Sequence, residues 1–274
     1  MLANATLAKQ LSHGCLMSDN LVEKITEYWN RQPCNINHSL AEVGSEQFFV
    51  ENSQRRYFVE PHLRDLAQFH QYQGRRVLEI GCGLGADAVE FVRHGAEYVG
   101  IDLSSESVAL ARKRFETFDL EGRFLVMDGA NTAAMAELGH FDLVYSCGVL
   151  HHYPDLPLVL RNIYRALNPG GDLRFLVYAK NSWKYAMIRA GLDQFEAQAG
   201  CPYAQAYTQE EIYQLLERFD VINIRQAHCF MYNVPLYRQG VYQLEPWFEA
   251  MSEQMREAVR QNLGWHLLVH ARKQ

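Results

Sequence analysis

Apolar positions in the middle of the chain fall into five short runs bounded by Gly, Asp, Asn or Pro. They are 76–80 (RVLEI), 98–101 (YVGI), 124–127 (FLVM), 141–146 (FDLVYS) and 173–178 (LRFLVY). Each is brief and rich in β-branched or aromatic residues, so each predicts a buried strand. The segments between them carry helical spacing. The stretch 86–94 (ADAVEFVRH) stops before Gly95, a residue suited to a helix C-cap. The stretch 104–118 opens on Ser104 and Ser105, which suit an N-cap. In 156–167, apolar residues recur at Leu156, Val159, Leu160, Ile163, Tyr164 and Leu167, and Asn168, Pro169, Gly170 and Gly171 then predict a stop. Two further strands are expected at 219–224 and 266–271.

Strand alternating with helix at this interval predicts βαβ units and a parallel sheet. Right-handed crossovers then place helices on both faces. The expected architecture is therefore α/β, a doubly wound sheet of seven mostly parallel strands. Residues 1–72 precede the first strand and are expected to form a helical lid. Residues 73–274 then form the main domain, with insertions at 181–207 and 229–261 that carry many aromatic side chains.

Of the 274 residues, 48% are apolar and 21% charged, which fits an ordinary folded chain and argues against disorder. The formal net charge is −6 and no basic run stands out, so a non-specific nucleic-acid binder is disfavoured. No apolar run approaches the ~20 residues needed to span a bilayer, and the first twenty residues do not read as a signal peptide. Six cysteines (Cys15, Cys34, Cys82, Cys147, Cys201 and Cys229) show no C-x-x-C pair and no paired histidine spacing. They read as reduced thiols of a cytoplasmic protein, with no disulfide or metal framework.

The chemistry concentrates where strands end. After the first strand the chain reads Gly81-Cys82-Gly83-Leu84-Gly85 and enters a helix. Glycines serve where backbone must turn sharply beneath a ligand, and the free N–H groups of the next helix point at that ligand. Asp102 ends the second strand, 17 residues after Gly85, where a carboxylate can accept both hydroxyls of a ribose. Asp128 ends the third strand, followed by Gly129 and Ala130, and can accept from an adenine amine. Each aspartate alone reads equally well as a cap or turn residue. Together with the glycine turn they share one edge of the sheet, where ligands bind in open α/β folds.

In these stretches the sequence resembles the class I S-adenosylmethionine-dependent methyltransferases. The residues that carry the resemblance are VLEIGCGLGADAVEF (77–91), GIDLS (100–104), MDG (127–129), FDLVYSCGVLHHYPD (141–155) and LNPGG (167–171), with a weaker echo in GWHLLVHARK near the end. The resemblance implies a Rossmann-like methyltransferase fold with S-adenosylmethionine as cofactor. It implies that Glu79, Gly81, Cys82, Gly83 and Gly85 hold the methionine end, Asp102 the ribose, and Leu103 one side of the adenine. Asp128, Gly129 and Ala130 would meet the adenine, and Ser146 and Cys147 the sulfonium end. A nicotinamide dinucleotide prefers G-x-G-x-x-G, whereas this chain has G-x-G-x-G.

Methyl transfer needs positioning, dryness and, for a protonated acceptor, a base. His151 and His152 follow the fourth strand and are the candidate catalytic residues. The N-P-P-Y or D-P-P-Y motif of enzymes acting on base or amide nitrogens is absent after that strand, so a small-molecule acceptor is expected, in the manner of secondary metabolism. Among lid aromatics Tyr28, Trp29, Tyr57 and Phe58, Tyr57 is the favoured partner for a sulfonium, because Arg55 and Arg56 beside it could reach a carboxylate; Tyr178 is a similar candidate on the acceptor side. Two other readings stand beside methyl transfer: cyclisation of the cofactor to azetidine-2-carboxylate and methylthioadenosine, and a non-catalytic cofactor sensor. The aromatic insertion 229–261 offers a surface for a homodimer.

Overall fold

The computed structural model describes residues 16–191 and 200–274, with side chains from residue 20 onward. Among the described residues, three helices precede the sheet: α1 (Leu16–Arg31), α2 (Glu46–Val59) and α3 (His62–Ala67), with 3-10 turns at Ile36–His38 and Phe69–Tyr72. Ser45 caps α2 by accepting from the Phe48 N–H at 3.1 Å, which satisfies one of the otherwise orphaned donors of its first turn.

The alternating core follows as β1 (Arg76–Ile80), α4 (Ala86–Arg93), β2 (Glu97–Asp102), α5 (Ser105–Thr117), β3 (Arg123–Val126), α6 (Thr132–Glu137), β4 (Phe141–Cys147), α7 (Leu156–Ala166) and β5 (Leu167–Ala179). After it come α8 (Trp183–Arg189), β6 (Ala206–Tyr207), α9 (Gln209–Leu215), β7 (Phe219–Ala227), α10 (Val234–Tyr237), α11 (Pro246–Glu249), α12 (Glu253–Leu263) and β8 (His266–Lys273). The strand order is β3-β2-β1-β4-β5-β8-β7, with β6 paired to β5 off that path. Neighbours along β3-β2-β1-β4-β5 are parallel. β8 runs antiparallel to both β5 and β7.

The expected sheet of seven strands is therefore present, with the two-residue β6 as an addition that periodicity could not register. One boundary differs. Asn168 to Gly171 do not form a loop between helix and strand; β5 begins at Leu167, directly after α7. The register against β4 breaks between Phe141 and Leu143, where the glycine-containing stretch is accommodated as an irregularity of the ladder.

Alternation along each strand sends side chains to two cores. Leu78, Ile80, Val144 and Val177 pack with α6, α7 and α9, while Val77, Leu143, Leu176 and Leu268 pack with α3, α4 and α5. The segment ahead of the sheet divides between two jobs. Tyr57, Leu63, Leu66, Phe69 and Tyr72 belong to the second of these cores. α1 lies over the carboxyl ends of the strands instead, its Trp29 carbonyl accepting from Ser104 Oγ at 3.3 Å. The 229–261 insertion covers α2, with Arg55 over the Tyr237 ring at 5.1 Å and Phe58 edge-on to Tyr242 at 5.0 Å.

Candidate functional site

The turn after β1 makes the site. Gly81 and Cys82 both donate to the Ile101 carbonyl of β2, at 2.7 and 3.1 Å. Gly81 has φ +80°, and a Cβ there would stand 2.2 Å from Val149. Only glycine permits both that backbone and that approach. Gly83 has φ +50° with open space where its Cβ would be, and its N–H donates to Asp102 Oδ2 at 2.9 Å. Gly85 turns the chain into α4 as its N-cap and rests against Ala111 of α5.

Asp102 ends β2. Its second oxygen accepts from the Ser104 N–H at 2.8 Å. An ionised carboxylate offers about four acceptor positions, so acceptor capacity remains beyond these backbone bonds. Burial pushes the Asp102 carboxyl upward, opposed by the Ser104 and Gly83 donors. A ligand diol that supplied two more donors would stabilise its charged form.

A cavity opens over these ends. Among the predicted residues it is lined by Glu79, Gly81, Cys82, Gly83, Asp102, Leu103, Cys147 and His152. Ile25 and Trp29 of α1 close it from above, and Arg56, Asp87 and Tyr153 complete the wall. Glu79 is buried and accepts from the Tyr98 hydroxyl. Burial, with the nearby Asp87 charge, raises its pKa well above the ordinary carboxylate range.

Asp87 and Arg56 form the most strongly bonded part of the wall. Asp87, buried in the first turn of α4, receives Arg56 Nη2 at 2.7 Å and Nε at 3.3 Å. It also receives the Tyr57 hydroxyl at 2.7 Å and the Tyr145 hydroxyl at 3.1 Å. Burial alone would raise its pKa, but Arg56 and the two tyrosines outweigh that and hold it below the usual range. The Arg56 guanidinium reaches on to Cys147 Sγ at 3.3 Å. The carboxylate that Arg56 serves is thus the protein's own. Asp87 was missed from sequence because its sequence signal, an acid in a helix's first turn, is also that of an ordinary dipole contact.

Several expected residues sit elsewhere. Tyr57 does not line the cavity: its hydroxyl is spent on Asp87, its ring abuts Phe69, and the Arg64 guanidinium covers its face at 4.1 Å. Trp29 takes the lid position instead. Ser146 is fully buried and donates to the Ile80 carbonyl at 2.8 Å, tying β4 to β1. Asp128, Gly129 and Ala130 stand behind Tyr153, whose hydroxyl accepts from the Gly129 N–H at 3.2 Å. Asp128 itself accepts from the Ala130 N–H at 2.8 Å. His151 is fully buried, its ring between His152 at 4.2 Å and Tyr178 at 3.9 Å, away from the cavity wall. The cysteines other than Cys15, which lies outside the described residues, are free.

His152 does face the cavity. Its Nδ1 meets the Tyr203 carbonyl at 2.7 Å, and a carbonyl only accepts, so Nδ1 carries the proton. That leaves Nε2 unprotonated. Burial lowers the His152 pKa to about 4, partly opposed by the Tyr203 carbonyl. Its ring meets the edge of Trp29 at 5.2 Å, joining base and lid.

A glycine turn, a ribose-type carboxylate at the next strand end and a cavity under α1 at the carboxyl edge of a doubly wound sheet define an adenosyl-cofactor transferase class of site. Comparison with known proteins agrees. The profile described as a methyltransferase domain matches residues 51–226, more than half of the chain. The chain belongs to this family of S-adenosylmethionine-dependent methyltransferases.

Relatives include the phthiotriol/phenolphthiotriol dimycocerosates methyltransferase of Mycobacterium leprae (strain TN), 33% identical over 124 residues, covering 42% of this chain and 44% of that one. Another is the ubiquinone biosynthesis O-methyltransferase of Sodalis glossinidius (strain morsitans), 32% identical over 122 residues, covering 43% and 47%. The matched region thus spans less than half the length of either relative. The fold matches magnesium protoporphyrin IX methyltransferase from Synechocystis PCC 6803 with bound S-adenosylhomocysteine. That match has a TM-score of 0.55 and 15% identity, covering 94% and 98% of the two chains. It also matches an N-methyltransferase from Bradyrhizobium japonicum WM9 in complex with the same product, at TM-score 0.51 and 20% identity, covering 80% and 87%.

Proposed function

We propose that this protein transfers the methyl group of S-adenosylmethionine to a small-molecule acceptor, at a hydroxyl oxygen. The observation that carries the reading is Asp102, half-buried on the cavity wall with acceptor capacity beyond its bonds to Gly83 and Ser104. The open space at Gly83 beside it suits an adenosyl ligand laid close to the backbone. When bound, S-adenosylmethionine supplies an electrophilic methyl carbon.

This chain's residues do the rest. Asp102 would hold the ribose diol, and Glu79, with the turn from Gly81 to Gly83, the methionine end. Leu103 would pack on the adenine, and Asp128 with Tyr153 would bound its far side. Trp29 and Ile25 exclude water, which strengthens every polar contact inside. His152 would accept the acceptor's proton at Nε2, with Nδ1–H held by the Tyr203 carbonyl. The choice of oxygen is supported by this base and by relatives named as O-methyltransferases.

Incubation with S-adenosylmethionine and a panel of hydroxylated metabolites, followed by mass analysis, tests the reading. Acceptor-dependent S-adenosylhomocysteine is expected. Methylthioadenosine formed without any acceptor would replace methyl transfer by cyclisation of the cofactor. His152→Asn should lower kcat by about 10²–10⁴-fold, the usual contribution of a positioned base. Because His152 is protonated only below about pH 4, kcat should stay level from pH 8 to pH 5. A midpoint near 6.5, that of an unperturbed histidine, would mean that burial does not hold His152 neutral.

A further inference from the structure

Three histidines far apart in the chain converge with a carboxylate on the same sheet edge, at its other end. Glu60 caps α2 and His62 opens α3. His228 follows β7, and His266 begins β8, paired there with Tyr178 of β5 and Ala227 of β7. One donor atom from each of Glu60, His228 and His266 lies within 4.8 Å of the other two. His266 Nε2 is 3.7 Å from Glu60 Oε1, and its Nδ1 is 2.9 Å from His62 Nε2.

We propose that Glu60, His228 and His266 form a binding site for one divalent transition metal of the zinc class, with His62 as the residue that orients His266.

The donor chemistry selects that class. Imidazole nitrogen with one carboxylate suits Zn²⁺, Co²⁺ or Ni²⁺, whereas Mg²⁺ and Ca²⁺ require mainly oxygen. Lys184 sits with its ammonium over the Trp265 ring at 5.5 Å. Lys184 and Arg56 both act electrostatically on Glu60. Arg225 acts in the same way on His62, and Arg260 on His228. Arg56, Arg225 and Arg260 are themselves paired with Asp87, Asp65 and Glu253, which balances the charge around the cluster.

The hydrogen bond to His62 fits the arrangement around a metal-bound imidazole. With His266 donating Nδ1–H to His62, the Nε2 lone pair is directed toward Glu60 and free to ligate. Tetrahedral Zn²⁺ with bonds of 2.0–2.1 Å holds its donors about 3.3 Å apart. The Glu60–His266 pair is near that spacing, and the widest donor pair would close by about 1.5 Å. Three protein ligands leave the fourth position for water or a substrate oxygen. His228 is held with φ +64°, an uncommon backbone for a histidine that sets its ring against His266, centroids 4.7 Å apart.

The test is titration of Zn²⁺, then Co²⁺, into the EDTA-treated full chain, with S-adenosylhomocysteine binding measured on the same samples. One metal per chain is expected. Glu60→Gln and His228→Asn should each weaken it by more than about a hundredfold, and His62→Leu by about 10–100-fold. A parent that binds no metal, or variants that bind as tightly as the parent, would overturn the proposal. Retained S-adenosylhomocysteine binding shows that a variant is folded and keeps this test separate from the methyltransferase reading. Should a variant fail to fold, X-ray absorption at the zinc edge of the loaded parent still decides: two imidazoles and an oxygen ligand support the site, and one imidazole or none refutes it.

Discussion

The two ends of the sheet's carboxyl edge bind by different means. Over β1, β2 and β4 the wall is built from carboxylates satisfied by backbone N–H groups, tyrosine hydroxyls and Arg56. Over β5, β7 and β8 it is built from imidazoles that mainly contact one another. The first end matches a cationic ligand carrying hydroxyls, because it offers fixed acceptors. The second offers imidazole lone pairs, which match a metal ion. Tyr178 and His151 lie between them as a stack of rings, touching His266 on one side and His152 on the other.

The contrast can be broken most severely at Arg56. Arg56→Ala leaves Asp87 buried with only two tyrosine donors, and removing one partner of a buried pair costs about 3–5 kcal/mol. A thermal or urea melt should show that loss. Stability within about 1 kcal/mol of the parent would mean that Asp87 is as well solvated as a surface carboxylate.

Next in size is Asp102→Ala. Loss of a charge-assisted hydrogen bond of about 1.5–3 kcal/mol corresponds to roughly 10–150-fold weaker binding. Calorimetry with S-adenosylhomocysteine should register that change while Zn²⁺ binding stays as in the parent. Weakening of both ligands together would mean that the two ends are one coupled site.

The smallest effect concerns the opposite edge, which serves as a control. Asp172 in β5 accepts from His270 Nε2 at 3.0 Å and Arg272 Nε at 2.9 Å, and from the Tyr72 hydroxyl at 3.0 Å. Burial opposes ionisation, but His270 and Arg272 outweigh it and bring the pKa to about 2. A depressed carboxyl stabilises the fold above its unfolded pKa of about 3.9 and loses that contribution as pH falls toward 2. With Arg272 half exposed, the contribution is on the order of 1–2 kcal/mol. Unfolding titrations of the parent and Asp172→Asn should therefore differ at pH 6 and converge near pH 2. Curves that stay parallel would remove this ion group from the stability of the fold.

Legibility from sequence differed between the two ends for a physical reason. Glu79, Gly81, Gly83 and Asp102 occupy one βαβ unit, so local turn chemistry and strand endings already place them together. Asp87 and Arg56 share no local pattern, since their contact depends on how α2 crosses the first turn of α4. Tyr57 was misplaced because an aromatic beside arginines does not reveal which way its helix faces. His151 and His152 are indistinguishable in sequence, yet a single 3-10 turn sends one to the cavity and buries the other.

What the chain alone determined is therefore the alternation of strand and helix, the sharp glycine turn after β1 and the acid that ends β2. These are short-range consequences of side-chain period and backbone sterics. Only the tertiary structure decided which hydroxyls and guanidinium saturate Asp87, which histidine meets the cavity, and that His62, His228 and His266 lie against one another. Those contacts depend on the packing of α2 and α3 against the sheet and on the antiparallel insertion of β8 between β5 and β7. No periodicity encodes such packing, because it joins residues roughly 30 to 200 positions apart in the chain.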